Sequence, residues 1–174
     1  MERGRAGVSR RSLVDVTALA EEAGQVARLA HPDHPITIEV AGPLLVWVDP
    51  LAVSRILGNL LDNAAAYSPP GARIWLSASR DRTHALLAVQ GQGPGIPSGE
   101  RERIFQRYTR LAQPAASTGG GLGLGLYIAR RLACANRGQL QVTDPPGHRG
   151  ARLELRLPLG PATSGGRRSA TGMW

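Results

Sequence analysis

The stretch Asn59-Leu60-Leu61-Asp62-Asn63-Ala64-Ala65-Ala66-Tyr67-Ser68 ends a helix whose two limits are both marked in the sequence. Asp49 suits the N-cap and Pro50 the first helical position, and Ser68-Pro69-Pro70-Gly71 stops the helix. Between these limits, apolar residues recur at spacings of three and four, which predicts a stripe facing a core: Val53, Ile56, Leu57, Leu60, Leu61 and Ala64.

Asn59 and Asn63 are four residues apart, so a helix places both amides on one face. An amide oxygen is a hard, neutral ligand that suits Mg²⁺, and Mg²⁺ usually accompanies phosphates in proteins. The alternative is that both are ordinary solvated asparagines on a helix surface. The pair alone does not separate these two hypotheses, and the sequence downstream has to decide between them.

The 174 residues suffice for one domain with a core, and the net charge of +8 is carried by arginine without any lysine. Much of that charge lies near the termini, so we expect residues 1–11 and 159–174 to be disordered tails and residues 12–158 to form the domain. No basic face with interleaved aromatic residues is visible, which argues against a nucleic-acid partner. Without a long apolar run or a cysteine pair, we expect a cytoplasmic protein with no membrane segment, in which the single Cys134 is a buried thiol.

Strands and helices are grouped along the chain rather than strictly alternating, which predicts an α+β fold: a two-layer α/β sandwich with a mixed sheet on about three helices. The expected helices are 12–30, 50–67, 100–110 and 127–136. The expected strands are 36–40, 45–48, 72–79, 84–90, 140–142 and 151–157, with a hairpin around Asp81-Arg82-Thr83 and another around 144–150.

Two glycine-rich segments stand out. Gly91-Gln92-Gly93-Pro94-Gly95-Ile96 is a loop, and Gly121, Gly123 and Gly125 lead directly into a helix after a Gly-rich stretch at 111–120. Backbone N–H groups of such a run can approach an anion, and the helix dipole adds positive potential, so the second segment is a candidate phosphate cradle. A flexible linker is the alternative. The Lys-Ser/Thr of a P-loop is missing, and no βαβ unit suits a dinucleotide fingerprint.

Taken in order, Asn59–Tyr67, Gly93-Pro94-Gly95-Ile96, Ile104–Tyr108 and Gly121–Tyr127 resemble the N, G1, F and G2 boxes of bacterial sensor histidine kinases. The resemblance is to their catalytic, ATP-binding domain and covers about residues 12–158. It implies the Bergerat α/β sandwich of the GHKL superfamily, with ATP and Mg²⁺ bound between loops and a mobile lid. It also implies a two-component system, in which a phosphoacceptor histidine passes the phosphate to a response regulator.

The resemblance assigns roles to residues box by box. It makes Asn63 the Mg²⁺ ligand and Asn59 its polar support, with Tyr67, Gly93, Gly95 and Ile96 around the adenine. It implies that Phe105 anchors the lid base and that Arg107 and Arg110 are candidates for phosphate contact. The remaining implied nucleotide-binding residues hold the phosphates and begin the following helix: Gly121, Gly123, Gly125 and Leu126.

Three positions or segments depart from the family pattern. The aspartate that would accept a hydrogen bond from the adenine amino group is Gly91, which leaves Gln90, Gln92 or water to replace it. The basic residue three positions after the Mg²⁺ ligand is Ala66. No histidine lies on a phosphoacceptor helix, and no general base is evident.

These departures leave three interpretations. In the preferred one, the chain is the ATP-binding domain of a split or truncated histidine kinase that phosphorylates a histidine on a separate protein. In the second, it is a degenerate nucleotide-binding or docking module without turnover. In the third, it is an anti-sigma-type serine kinase of the same superfamily.

Overall fold

A computed structural model of the chain describes residues 11–109, 123–148 and 150–159. The three α-helices in this part of the chain are α1 (Val16–Ala30), α2 (Pro50–Tyr67) and α3 (Gly125–Ala135). Its seven strands are β1 (Ser12–Asp15), β2 (Ile36–Val40), β3 (Leu45–Val48), β4 (Ile74–Arg80), β5 (His84–Gln90), β6 (Gln139–Thr143) and β7 (Arg152–Pro158). Short 3-10 turns lie at Ser98–Glu100, Arg103–Phe105 and Pro146–His148.

Five strands form one mixed sheet in the order β2-β4-β5-β7-β6, and β1 and β3 form a separate two-stranded sheet. Within the larger sheet, β2 runs parallel to β4 and the other neighbours are antiparallel. The two predicted hairpins, β4–β5 and β6–β7, are both formed. Because α1 packs on β2 and β4, α2 on β4 and β5, and α3 on β6, the helices make one layer against this sheet. The predicted two-layer sandwich is confirmed.

The core is built mainly from aliphatic side chains between the sheet and α2. Ile56, Leu57 and Leu60 of the predicted stripe are fully buried, against strand residues such as Leu76 and Leu87. Burying a side chain of this size stabilises the fold by about 1.5–3 kcal/mol relative to exposure, so the stripe fixes α2 firmly on the sheet. The ends of α2 are also as predicted: the Asp49 side chain accepts a hydrogen bond from the Leu51 N–H, and the helix ends at Tyr67.

The first helix is shorter than predicted. We expected a helix from Ser12 to Ala30, but Ser12–Asp15 is a strand paired antiparallel with β3, and the helix begins at Val16. The Asp15 carboxylate accepts from the Thr17 N–H at 3.1 Å and thereby caps the helix. Leu13 and Val14 fit an apolar helical pattern as well as a strand, so local periodicity could not tell the two apart.

Two further predictions are wrong. Of the helix predicted over 100–110, the described part, 100–109, is not a regular helix: it holds the 3-10 turn at Arg103–Phe105, after which Gln106 is extended and Tyr108 has a φ of +60°. The single thiol, Cys134, is exposed rather than buried. It lies on α3 next to Ala133, which takes the core-facing position together with Ala129.

Candidate functional site

A cavity of about 1070 Å³ opens between α2, the loop that follows β5, and the N-terminus of α3. Nine of the residues predicted for a nucleotide site line it: Asn59, Asn63, Tyr67, Gly93, Gly95, Ile96, Gly123, Gly125 and Leu126. These residues come from three separate segments of the sequence, and the fold brings them to one place. The volume is typical of a pocket for a nucleotide-sized ligand.

One wall is the C-terminal half of α2. Asn59 donates a hydrogen bond from Nδ2 to the Gly125 carbonyl oxygen at 3.1 Å, which ties this wall to the start of α3. Asn63, one turn later, also lines the cavity, and among the described residues its amide has no hydrogen-bond partner in the protein. The Asn59 amide is therefore engaged in a hydrogen bond between α2 and α3, whereas the Asn63 amide is available to a ligand.

The second wall is the loop after β5, which packs closely on the end of α2. A Cβ atom at Gly93 would collide with the carbonyl oxygen of Tyr67, so only glycine lets the two backbones approach in this way. Pro94, Gly95 and Ile96 continue the wall, and Ile96 packs against the core. The close approach makes this side of the cavity narrow and largely apolar.

The third wall is the N-terminus of α3, where Gly123, Gly125 and Leu126 face the cavity. Gly123 has a φ of +68°, and its carbonyl oxygen accepts from the Tyr108 N–H at 3.1 Å. No described side chain caps this helix, so its first N–H groups lack the side-chain acceptor found at the starts of α1 and α2. Two of the predicted residues, Arg110 and Gly121, lie outside the described residues.

Two predicted residues are near the cavity without lining it. Phe105 is buried, with the Arg130 guanidinium 4.7 Å above its ring, which joins the 103–105 turn to α3. Arg107 donates from Nη2 to the Tyr127 hydroxyl at 2.8 Å and stacks on the same ring. That hydrogen bond raises the pKa of Arg107 and lowers the pKa of Tyr127. Contact between Arg107 and a phosphate therefore stays a prediction, since it requires Arg107 to leave Tyr127.

The charged residues of the lining are few and already paired. Asp62 Oδ1 lies 2.8 Å from His31 Nε2, and Arg103 donates to Glu100 at 3.0 Å. Within the described part of the chain, no three His, Cys, Asp or Glu side chains are grouped as metal ligands. A cation in the cavity would therefore be held mainly by neutral oxygen atoms and by oxygen atoms of its ligand.

The departures noted in the sequence lie in the same cavity. Ala66 and Gly91 both line it, so neither position contributes a side-chain charge. Gln92, proposed as a substitute acceptor, is occupied elsewhere: its Oε1 accepts from the Arg73 N–H at 3.0 Å. Neither Gln92 nor Gln90 is among the lining residues.

Sequence reasoning missed several residues of the lining. Val89 and Leu153 come from adjacent strands of the sheet and look like ordinary core residues in the sequence. Ser68 was interpreted only as part of the helix stop, yet it is buried in the cavity wall. No local pattern distinguishes such residues, because only the packing of α2 against β5 and the pairing of β5 with β7 bring them together.

Comparison with known proteins decides the family. A sequence profile described as "Histidine kinase-, DNA gyrase B-, and HSP90-like ATPase" matches residues 48–161. The chain belongs to this family. Among curated relatives, the signal transduction histidine-protein kinase/phosphatase MprB of Mycobacterium sp. (strain KMS) is 35% identical over 164 residues. The probable sensor histidine kinase TcrY of Mycobacterium tuberculosis is 32% identical over 150 residues.

Solved structures agree on the branch of the family. The mycobacterial sensor histidine kinase MprB aligns with a TM-score of 0.73 and 34% identity, over 87% of this chain and 99% of that one. The ATP-binding domain of PrrB from Mycobacterium tuberculosis aligns with a TM-score of 0.72 and 27% identity, over the same shares of the two chains. The predicted resemblance is confirmed: this is a histidine-kinase ATP-binding catalytic domain.

The matches also define how much of the relatives this chain represents. The MprB alignment covers 90% of this chain but 31% of the relative, and the TcrY alignment covers 86% and 31%. The chain thus spans about a third of the length of the curated relatives it matches. Among residues 11–109, 123–148 and 150–159, no helix has the length and apolarity that crossing a bilayer requires.

Proposed function

We propose that the domain binds Mg²⁺–ATP in this cavity and transfers the γ-phosphate to a histidine on a separate phosphoacceptor protein. That protein would in turn pass the phosphate to a response regulator. The proposed place of action is the cytoplasm, where ATP is available. The observation that carries the proposal is the meeting of Asn63, the loop at Gly93 and Gly95, and the glycine-rich start of α3 around one cavity.

The donor set of the cavity fits a magnesium ion that arrives with the nucleotide. Asn63 would hold the ion through its amide oxygen, and the neighbouring carboxylate, Asp62, is paired with His31. Mg²⁺ favours such sites, with one or two protein ligands and the remaining positions filled by phosphate oxygen atoms and water. When bound, the ion would neutralise charge that develops on the transferred phosphoryl group.

The residues of this chain would act by positioning rather than by covalent chemistry. The apolar wall at Ile96 and Val89 would hold the base, and the N–H groups at the start of α3 would orient the phosphates. The described residues that line the cavity include no histidine, so the attacking imidazole would enter the cavity from outside, in this proposal on the phosphoacceptor protein. Attack in line with the leaving oxygen needs little beyond this orientation and charge stabilisation.

A nucleotide-binding or docking module without turnover is the second candidate. It is favoured by Ala66 and Gly91, because both lie in the cavity wall where a charged contact to the nucleotide would otherwise be made. A serine kinase of the same superfamily is the third. The three differ in the product formed once ATP is bound: phosphohistidine, no phosphorylated partner, or phosphoserine.

Titration with a fluorescent ATP analogue, with and without Mg²⁺, tests the proposal. We expect Asn63→Ala to weaken binding by about 10- to 100-fold with Mg²⁺, a range typical of metal-site substitutions, and to change little in EDTA. The EDTA series is the matched control, since damage to the fold would weaken both. Failure of the natural chain to bind at millimolar nucleotide would refute both kinase candidates and leave only a docking module.

Transfer is tested separately with ATP labelled at the γ-phosphate and candidate histidine-containing partners. We expect label on the partner that is lost in acid and retained in base, as a phosphoimidazole requires. Acid-stable label would indicate a serine, and binding without label on any partner would favour the docking module.

A further inference from the structure

Ser68 is the buried polar side chain of the cavity. The described lining residues that are buried are otherwise apolar or glycine: Leu60, Val89, Gly91, Ile104 and Leu153. Ser68 itself is 8% exposed. It is the C-cap residue of α2, one residue after the helix ends at Tyr67 and five residues beyond Asn63, so at 1.5 Å per residue it lies roughly 7 Å farther along the helix axis. A phosphate would lose its hydration at this apolar end, whereas a planar base would bury its faces there.

The Ser68 hydroxyl still has hydrogen-bonding capacity to offer. Its oxygen accepts from the Gln92 N–H at 3.0 Å, and this is its one side-chain hydrogen bond within the described residues. A hydroxyl has one donor and two acceptor positions, so an O–H donor and one lone pair remain. It can therefore satisfy either an amino group or a carbonyl group of a ligand.

The hydroxyl also lies where a side chain at position 91 would begin. A Cβ atom built on Gly91 would be 2.7 Å from Ser68 Oγ, so the two cannot coexist without a shift. A carboxylate at position 91 would be an acceptor only and would select an amino group. Because residue 91 is glycine, that selection is absent and the adjacent polar group is the hydroxyl.

We propose that Ser68 contacts the group at C6 of the purine, and that the cavity therefore accepts 6-oxo as well as 6-amino purine triphosphates. The inference rests on the proposed nucleotide binding and adds the residue that sets its specificity. A site built around an acceptor discriminates strongly against the wrong partner because buried polar groups are left unpaired. A site built around a hydroxyl avoids that loss with either purine.

Three nucleotides separate this role from a structural one: ATP, ITP, and purine riboside triphosphate, which has no substituent at C6. We expect the natural chain to bind ATP and ITP within about fivefold of each other. Ser68→Ala should weaken both by roughly three- to tenfold, as loss of one neutral hydrogen bond requires, and leave purine riboside triphosphate within twofold. Ser79→Ala, on the exposed end of β4, is the matched control and should change none of the three.

A second variant should introduce selectivity for the 6-amino purine. Ser68→Ala combined with Gly91→Asp removes the hydroxyl in the way and installs a carboxylate. We expect its ratio of ATP to ITP affinity to rise at least roughly tenfold over that of Ser68→Ala, since a carboxylate repels a carbonyl oxygen. Gly91→Asp alone should raise the ratio less, because Ser68 Oγ occupies the space that the new side chain needs.

The outcomes are distinct. If none of the three nucleotides binds, the proposed function and this inference both fail. If they bind and Ser68→Ala weakens all three equally, Ser68 is structural and only this inference is overturned. A preference of the natural chain for ATP over ITP above about thirtyfold overturns it as well, even if Ser68→Ala does not fold.

Discussion

The N-terminus of α3 differs from the N-termini of α1 and α2 in how its first N–H groups are satisfied. Asp15 accepts from the Thr17 N–H at 3.1 Å, and Asp49 accepts from the Leu51 N–H at 3.0 Å, so both earlier helices are capped by their own aspartate. α3 follows Leu124, which makes no side-chain cap, and it begins at a glycine. The first N–H groups of α1 and α2 thus find side-chain acceptors within the protein, whereas the start of α3 faces the cavity.

The comparison shows that the uncapped end is suited to an anion. A helix N-terminus carries partial positive charge on its unpaired N–H groups, and an aspartate there would both occupy them and repel a phosphate. Glycine at 123 and 125 leaves the groups accessible, while Asn59 holds the helix in place through the Gly125 carbonyl oxygen. Stability at this end therefore comes from a tertiary hydrogen bond rather than from a local cap.

Replacing Gly123 should give the largest effect that separates the two kinds of helix start. Gly123 has a φ of +68°, and a Cβ atom there would lie 3.1 Å from the Thr109 carbonyl oxygen and from the Tyr108 backbone. We expect Gly123→Ala to cost about 1–2 kcal/mol of stability through the left-handed backbone. It should also weaken ATP binding roughly tenfold, because the backbone that we propose to hold the phosphates has to shift. Unfolding in urea and nucleotide titration measure the two effects.

Gly71→Ala is the matched control for this variant. Gly71 has a similar φ of +78°, but a Cβ atom there meets nothing within 4 Å, and the residue lies outside the cavity lining. The stability loss should be similar and ATP affinity unchanged. If both variants weakened ATP binding to the same extent, the start of α3 would have no special relation to the nucleotide.

The sequence predicted most where local chemistry determines the structure. The cap at Asp49, the stop after Tyr67 and the hairpin around Asp81-Arg82-Thr83 are local, and all three are present. The order of the glycine-rich and asparagine-bearing segments also led to the family. Nine of the predicted site residues line one cavity, and they could be predicted because they belong to the motifs on which the family resemblance rests.

The rest depends on contacts that are distant in the sequence. Ser12–Asp15 became a strand because β3, some thirty residues later, offers a partner edge. Ser68 lies in the cavity wall because the loop at Gln92 packs against it and donates a backbone N–H to its hydroxyl. Arg107 was predicted to face a phosphate, but Tyr127 supplies both an acceptor and a ring, twenty residues farther along. No local pattern carries such information.

Asp49→Ala tests a capped helix start, that of α2, and its expected effect is smaller. Loss of an N-cap aspartate typically costs about 1 kcal/mol of stability, within a range of roughly 0.5–2. Because this cap is far from the cavity lining, nucleotide affinity measured under conditions where the variant is folded should stay within twofold. A tenfold loss of affinity would mean that capped and uncapped ends are coupled, and that the division between them is wrong.

Asp15→Asn is the most conservative test, since asparagine can also cap a helix. The Thr17 hydroxyl, together with the Leu44 N–H, lowers the pKa of Asp15 below its ordinary value of 3.8. The folded state therefore binds fewer protons than the unfolded state in this range, and the carboxylate stabilises the fold above about pH 4. That contribution is lost as the pH falls through the lowered pKa. Urea unfolding of both proteins between pH 6 and pH 2.5 measures it, with an expected gap of roughly 0.3–1 kcal/mol at pH 6, typical of a charge at a helix N-terminus, that closes toward the acid end. A gap that stayed constant with pH would show that geometry alone, without the charge, determines this cap.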